Sequence, residues 1–284
     1  MANSISSRTW RDKYRASTLD YTLRNAMVAE KIVAVDRSNN YRIQNPYLAT
    51  PTTTVQALAG TYTLSDTTTT DDTLTVTDEF IVASHIFDFQ QSLSNFDLFE
   101  AQTREMNYSV ALKIDQWVVN NLCEDGTGTY TTPAGGFGNA ANVIEIFSNL
   151  NSKFDGYADT YNGKFVVLEN TDMVGIYGSG ATAGFQSADA VLNNGKVGSL
   201  MGIDIYVVRT GTFTDATVGT TTWTNNNHRV AGVKNMATMA MPGGAKFEEK
   251  SVTLKTGKEL VAFGYVGFKL WAQKTALIID ITLS

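Results

Sequence analysis

A chain of 284 residues with one cysteine, two histidines and four prolines has little of the usual chemistry-bearing equipment. Lone Cys123 excludes an intrachain disulfide framework. That fits a reducing compartment without excluding an extracellular particle. With His85 and His228 it cannot make a zinc cluster, which needs ligands at clustered spacing, so structural roles are expected for all three. Cys123 ends a helical apolar stripe and reads as packing rather than as a nucleophile. No Gly-x-Ser-x-Gly elbow occurs. Residues 178–183 match a relaxed dinucleotide fingerprint but follow an expected helix, so a flexible glycine turn is the preferred reading. The sequon at Asn107 falls inside an expected helix, and Asp155 and Asp159 lack calcium-loop spacing. Neither a catalytic site, a metal nor a cofactor is expected. Also missing is any run of 18 apolar residues, so no membrane-spanning helix is expected, and residues 1–7 show no secretory apolar core. No internal repeat has a fixed period.

What is present points to an ordered protein. Hydrophobic residues make up 43% and charged residues 18%, well away from the disordered class. The net charge of -6 argues against coating nucleic acid by bulk charge, yet its distribution is uneven. Arg8, Arg11, Lys13 and Arg15 crowd the first segment, which is expected to be an arm turning helical near 21–33 with no obvious partner within itself. Either it is a solvated terminus or it contacts packaged nucleic acid or an acidic neighbour. No lysine lies between Lys31 and Lys113, while Asp66, Asp71, Asp72, Asp78 and Glu79 cluster in that interval.

Period-two patterning predicts a long β-hairpin there, with strands near 54–64 and 73–90 and a polar tip over 65–72. An isolated hairpin is marginal in water, so a neighbouring subunit is the expected support. The acidic residues would then meet cations on a neighbour, with Lys246, Lys250, Lys255, Lys258 or the arm arginines as candidates. Next comes a helix over about 96–124, capped by Ser94 with Asp97 and stopped at Gly126. Phe99, Met106, Val110, Ile114, Val118 and Leu122 form its apolar stripe. A Gly/Thr linker over 126–138 precedes a second amphipathic helix carrying Val143, Ile146, Phe147, Leu150 and Phe154. Strands are expected at 165–168 and 203–208, with a short helix near Asp172. A polar exposed loop or hairpin follows over 211–227. The chain closes with a buried strand over 259–272 and a second over 276–283 returning beside it.

The run Asn-Asn-Gly-Lys-Val-Gly-Ser-Leu-Met-Gly-Ile-Asp-Ile-Tyr-Val-Val over 193–208 resembles a segment of tailed-phage major capsid proteins of the Hong Kong 97-type fold. Glycines at 195, 198 and 202 suit a tight reversal before a strand. The closing Gly-Tyr-Val-Gly-Phe-Lys-Leu-Trp-Ala over 264–272 is similar to the family's last strands, and the order of elements agrees along nearly the whole chain. The resemblance implies an α+β fold with an N-terminal arm (1–35) and an extended β-hairpin loop (36–92). A peripheral domain with a long spine helix (93–138), an axial domain (139–228) and a return to the peripheral domain (229–284) would follow. It implies a non-enzymatic major capsid protein that assembles, as hexamers and pentamers, into an icosahedral shell around double-stranded DNA. Asp66, Asp71, Asp72, Asp78, Glu79, Lys246 and Lys250 would lie at inter-subunit contacts, and Arg8, Arg11, Lys13 and Arg15 would face DNA non-specifically. Partners would be the chain itself, a separate scaffolding protein and a portal, in a virion assembled in a prokaryotic cytoplasm. Some family members cross-link a loop lysine to a neighbour's asparagine; this loop has no lysine, so a non-covalent shell is expected. An encapsulin-like compartment enclosing protein cargo is the alternative, and a Thr/Asn-rich adhesin a more distant one.

Overall fold

The computed structural model describes residues 13–19, 27–48, 69–87, 98–154, 162–183, 196–218, 221–251 and 256–284. Two sheets are joined across one long helix. The first sheet is built around β14 (Lys258–Leu270), whose residues 260–268 form an unbroken run of Leu, Val, Ala, Phe, Tyr and Gly. Such β-branched and aromatic residues fit a pleated, largely buried surface. Residues 258–263 of β14 pair antiparallel with β13 (Lys246–Ser251), and residues 258–266 pair antiparallel with β4 (Asp78–Ile86). β12 (Ala237–Ala240) pairs with residues 267–270, and β1 (Ala34–Asp36) adds in parallel to β12. Gly267 sits where the chain crosses below: a Cβ there would lie 2.9 Å from the Val76 Cα, so a side chain would push the crossing backbone away.

The second sheet runs β5 (Gly128–Thr131), β15 (Ile278–Thr282), β11 (His228–Val233), β6 (Lys164–Glu169), β8 (Ile203–Val208) and β7 (Lys196–Leu200). β15/β5 and β6/β8 are parallel and the other pairs antiparallel. The turn between β7 and β8 places Met201 at φ 52° and Gly202 at φ 79°, the left-handed conformation that the glycine supplies at no steric cost.

The long helix, α1 (Leu98–Asp125), contacts β4 and β14 of the first sheet and β11 and β15 of the second. Its expected stripe from Met106 to Leu122 is buried, and Gly126 N–H closes on Leu122 O as the stop. The proposed cap at Ser94 and Asp97 lies outside the described residues. Twenty-eight residues make a rod of about 40 Å. α2 (Ala140–Lys153) begins at Asn139, whose side chain accepts from Ala141 N–H, and buries Val143, Ile146, Phe147 and Leu150 as expected. α3 (Met173–Ala183) packs beside it and includes residues 178–183, so the expected glycine turn is the end of a helix.

Four expectations change. The strand foreseen over 73–90 is broken at Val76 and Thr77. Its first part is β3 (Thr69–Thr75), which pairs with β2 (Arg42–Leu48) in a separate ribbon; its second part is β4 in the main sheet. Residues 69–72, expected in a turn, are therefore strand, and the partner strand foreseen at 54–64 lies outside the described residues. The Gly/Thr linker contains β5, aligned parallel to β15. The last strand does not return beside β14: a 3₁₀ segment, Ala272–Leu277, carries the chain to the second sheet, where β15 buries Ile278, Ile279 and Ile281 between neighbours. Finally, the polar stretch 211–227 is a hairpin of β9 (Asp215–Val218) and β10 (Thr221–Thr224), but Phe213 and Trp223 anchor it in the interior.

Candidate assembly surfaces

The acidic candidates separate into distinct settings. Asp72 is tied down within its own chain: it accepts from Ala272 N–H at 2.8 Å and faces Lys269 Nζ at 3.4 Å, which fixes the ribbon along the end of β14. Asp71 is exposed beside it on β3, opposite Pro46. Asp78 and Glu79 belong to the start of β4, opposite Val266 and Tyr265, and among the described residues no cation pairs with either. Asp66 lies outside the described residues, as do Lys255, Arg8 and Arg11.

The candidate cations are also engaged at home. Lys246 on β13 reaches over the rings of Phe263 and Tyr265, at 5.9 and 5.8 Å. Lys250 pairs with Glu248 at 3.0 Å, in the open. Lys258 binds Glu249 at 2.7 Å. Arg15, one of the arm cations expected either in solvent or at nucleic acid or an acidic neighbour, is docked on the same chain. Its guanidinium meets Glu249 Oε2 at 2.9 Å and lies 5.4 Å over the Phe247 ring, so the helical run 13–19 is attached to β13. Lys13, at the start of that run, is exposed.

The next turn of the arm is held more deeply. Met27, Val28, Ala29, Ile32 and Val33 are buried. Asp115 of α1 accepts from Val28 N–H at 3.1 Å and Ala29 N–H at 2.8 Å, capping the turn Ala29–Ile32. Burial raises the Asp115 carboxyl to about 7, against the lowering effect of the two N–H groups. The arm, expected to have no obvious partner within itself, thus finds partners elsewhere in the chain, at Glu249 and Asp115.

A second buried polar group braces the other sheet. Arg229 on β11 donates to Asp172 at 2.5 Å and to Glu169 at 3.3 Å. Glu169 in turn accepts from Gly211 N–H and Phe213 N–H, at 2.9 and 3.2 Å, fixing the 209–213 turn. Asn120 of α1 holds the same loop through Thr212 O and Thr214 N–H, and Asn121 accepts from the Trp223 indole at 3.1 Å. Sequence reasoning passed over these residues. The available signal was an isolated charge inside an apolar pattern: Asp115 after Ile114, Glu169 after Phe-Val-Val-Leu, Arg229 before Val-Ala-Gly-Val.

The histidines and the cysteine have structural surroundings. His228 Nδ1 contacts Asp280 at 2.8 Å, and His85 stacks edge-on against Phe87 at 4.3 Å. Cys123 is buried, and burial pushes its thiol well above the ordinary range. Among the described residues no group of three or more His, Cys, Asp or Glu could hold a metal ion. No described helix is long and apolar enough to cross a membrane. Large apolar side chains do face outward on α3, where Val174 is 71% and Tyr177 55% exposed.

No family model and no curated protein matches the sequence. Solved structures do match. The capsid of the cyanophage P-SCSP1u superimposes with a TM-score of 0.68 at 14% identity, over 92% of this chain and 89% of its own. The fold is that of a capsid subunit. A structure from Mycobacterium phage Ogopogo gives a TM-score of 0.67 at 13% identity, over 90% of this chain and 92% of that one. The capsid of an empty GTA particle gives 0.64 at 16% identity, with 92% and 91% covered. The architecture is the α+β, Hong Kong 97-type capsid fold, shared nearly end to end with almost no shared sequence.

Proposed function

We propose that this chain is a major capsid protein that self-assembles into an icosahedral shell enclosing viral double-stranded DNA, without enzymatic activity. The carrying observation is the agreement of fold over about nine-tenths of both chains with capsid subunits. The local structure supports it. Buried Leu74 beside Gly267, Asp72 and Tyr41 tie the base of the β2–β3 ribbon to the body, while residues 44–46 and 69–71 are exposed, so its outer part needs support from outside the subunit. Val174 and Tyr177 leave apolar surface open on the helix pair α2–α3.

In this reading residues 1–35 are the arm, 36–92 the extended loop, and 93–138 the spine-helix part of the peripheral domain. Residues 139–228 are the axial domain, and 229–284 complete the peripheral domain. The partners are further copies in hexamers and pentamers, a separate scaffolding protein, a portal, and DNA held by non-specific contacts from the arm. Lys13 remains a candidate for that contact, Arg8 and Arg11 face either DNA or an acidic neighbour, and Arg15 is occupied by Glu249. The particle would be assembled in a prokaryotic cytoplasm and leave as a virion.

Sedimentation of the expressed chain, with the ratio of absorbance at the nucleic-acid and protein maxima, tests this. Fast-sedimenting polyhedra, empty without a packaging system and DNA-rich with one, are expected. Uniform particles loaded with protein instead of nucleic acid would move the reading to a cargo compartment, and a chain that remains monomeric would overturn it.

A further inference from the structure

β4 hydrogen-bonds to β14 along its whole length, and no described strand pairs with its other side. Nine residues of edge span about 30 Å. An uncovered edge of that length is a template for a further strand. This one borders a groove of about 620 Å³. Consecutive residues 78–82 form one wall, so the backbone edge itself lines the groove and not one face of the strand alone. α1 supplies the opposite wall through Leu112, 43% exposed, and Trp117. The 209–212 turn, braced by Glu169 and Asn120, closes the end with Arg209. A rigid strand edge beside an apolar helix wall is the geometry that receives an extended peptide by strand addition.

The charges indicate the occupant. Asp78 and Glu79 stand at the groove without a cation partner among the described residues, and Lys113 and Arg209 line it as well. Residues 8–12 of this chain read Arg-Thr-Trp-Arg-Asp. They offer two cations for the carboxylates, an anion for Lys113 or Arg209, and an indole for the apolar wall. Tryptophan and arginine are the side chains that most often anchor such contacts. Residues 3–11 contain neither proline nor glycine, so nothing in them opposes an extended conformation. The described part of the arm, held by Arg15 to Glu249, lies at β13, and β13 and β4 flank β14 on opposite sides. The arm's own anchor therefore lies across β14 from the β4 edge.

We propose that the edge of β4 with which no described strand pairs is the docking site for the N-terminal segment of a second copy. That segment adds to the sheet as an extra strand, with Trp10 against the Leu112 wall and Arg8 and Arg11 at Asp78 and Glu79. The inference rests on the shell reading, which places copies side by side.

Mixed cross-linking tests it. Trp10→Cys and Leu112→Cys chains, prepared separately, are co-assembled with wild-type chain and treated with a short bismaleimide. Buried Cys123 makes wild-type particles the blank. A dimer joining one chain of each variant is expected. It should fall at least tenfold when the Trp10→Cys chain also carries Ser6→Pro and Ser7→Pro, because one of these neighbours must present its N–H to the edge. It should fall similarly when the Leu112→Cys chain carries Asp78→Lys and Glu79→Lys, and recover when Arg8→Glu and Arg11→Glu are added to the other. Normal particles without the dimer overturn the docking proposal and leave the shell reading standing. A link formed only within the Trp10→Cys/Leu112→Cys double variant means that the arm folds onto its own groove, which also overturns it. A wild-type chain that stays monomeric contradicts both.

Discussion

At the scale of single residues, the buried charges carry the sharpest expectations. Asp115 has an ordinary value of 3.8 when unfolded and about 7 when folded. Between those values the folded chain keeps a proton that the unfolded chain has lost, so this group's contribution to stability falls as pH rises through the window. Below 3.8 the penalty is absent, and above about 7 it is constant. The melting temperature of the subunit should therefore drop from pH 5 to pH 8 in wild type, and the drop should shrink in Asp115→Asn. An identical pH dependence in both would show that the carboxylate is not the source. Asp115→Ala, which strands the Val28 and Ala29 donors, should cost about 1–3 kcal/mol and raise hydrogen exchange first in 27–33. Arg229→Met leaves Glu169 and Asp172 buried without their cation, so denaturant unfolding should report a loss of about 3–5 kcal/mol. A loss below about 1 kcal/mol would mean that water reaches the pair.

At the scale of elements, the break at Val76–Thr77 divides the expected hairpin into two behaviours. β4 is bonded along its length to β14 and packed on α1, so the amides that it donates to β14 should be protected in the free subunit. β2 and β3 pair mainly with each other and should exchange quickly until assembly covers them. Equal protection of 69–75 and 78–86 in free subunits would contradict this division. Asp72→Asn should loosen the ribbon from Ala272 and Lys269 and speed exchange in 69–75, whereas Asp71→Asn should leave it unchanged. Much at this scale was legible in the sequence. The stripe from Met106 to Leu122 and the stop at Gly126 located α1, and the apolar run at 203–208 located β8, because long periodic or continuous patterns have one good solution. The strand break was hidden because Val76 and Thr77 continue the alternation; only the path of Gly267 beneath them shows the crossing. β15 was misplaced because its isoleucines satisfy either sheet equally, and sequence proximity favoured β14. The arm's docking was hidden because its partners, Glu249 and Asp115, lie more than 80 residues away.

At the scale of the whole molecule, an extended ribbon, an open strand edge and outward apolar residues on α3 sit on a well-packed body, as expected of a subunit completed by its neighbours. No lysine lies between Lys31 and Lys113, and Cys123 is buried, so contacts between copies should be non-covalent. Denaturing electrophoresis of mature particles without reductant should show one band near 30.9 kDa, and a ladder of multimers would contradict it. The most direct measurement of the central claim is cryo-electron microscopy of particles formed by this chain alone or with a co-expressed scaffolding protein. The account predicts a closed icosahedral shell in which each β2–β3 ribbon lies on an adjacent copy and the α2–α3 helices surround the five- and six-fold positions. A closed shell with the ribbon folded back on its own subunit, or an open polymer without five-fold vertices, would contradict it.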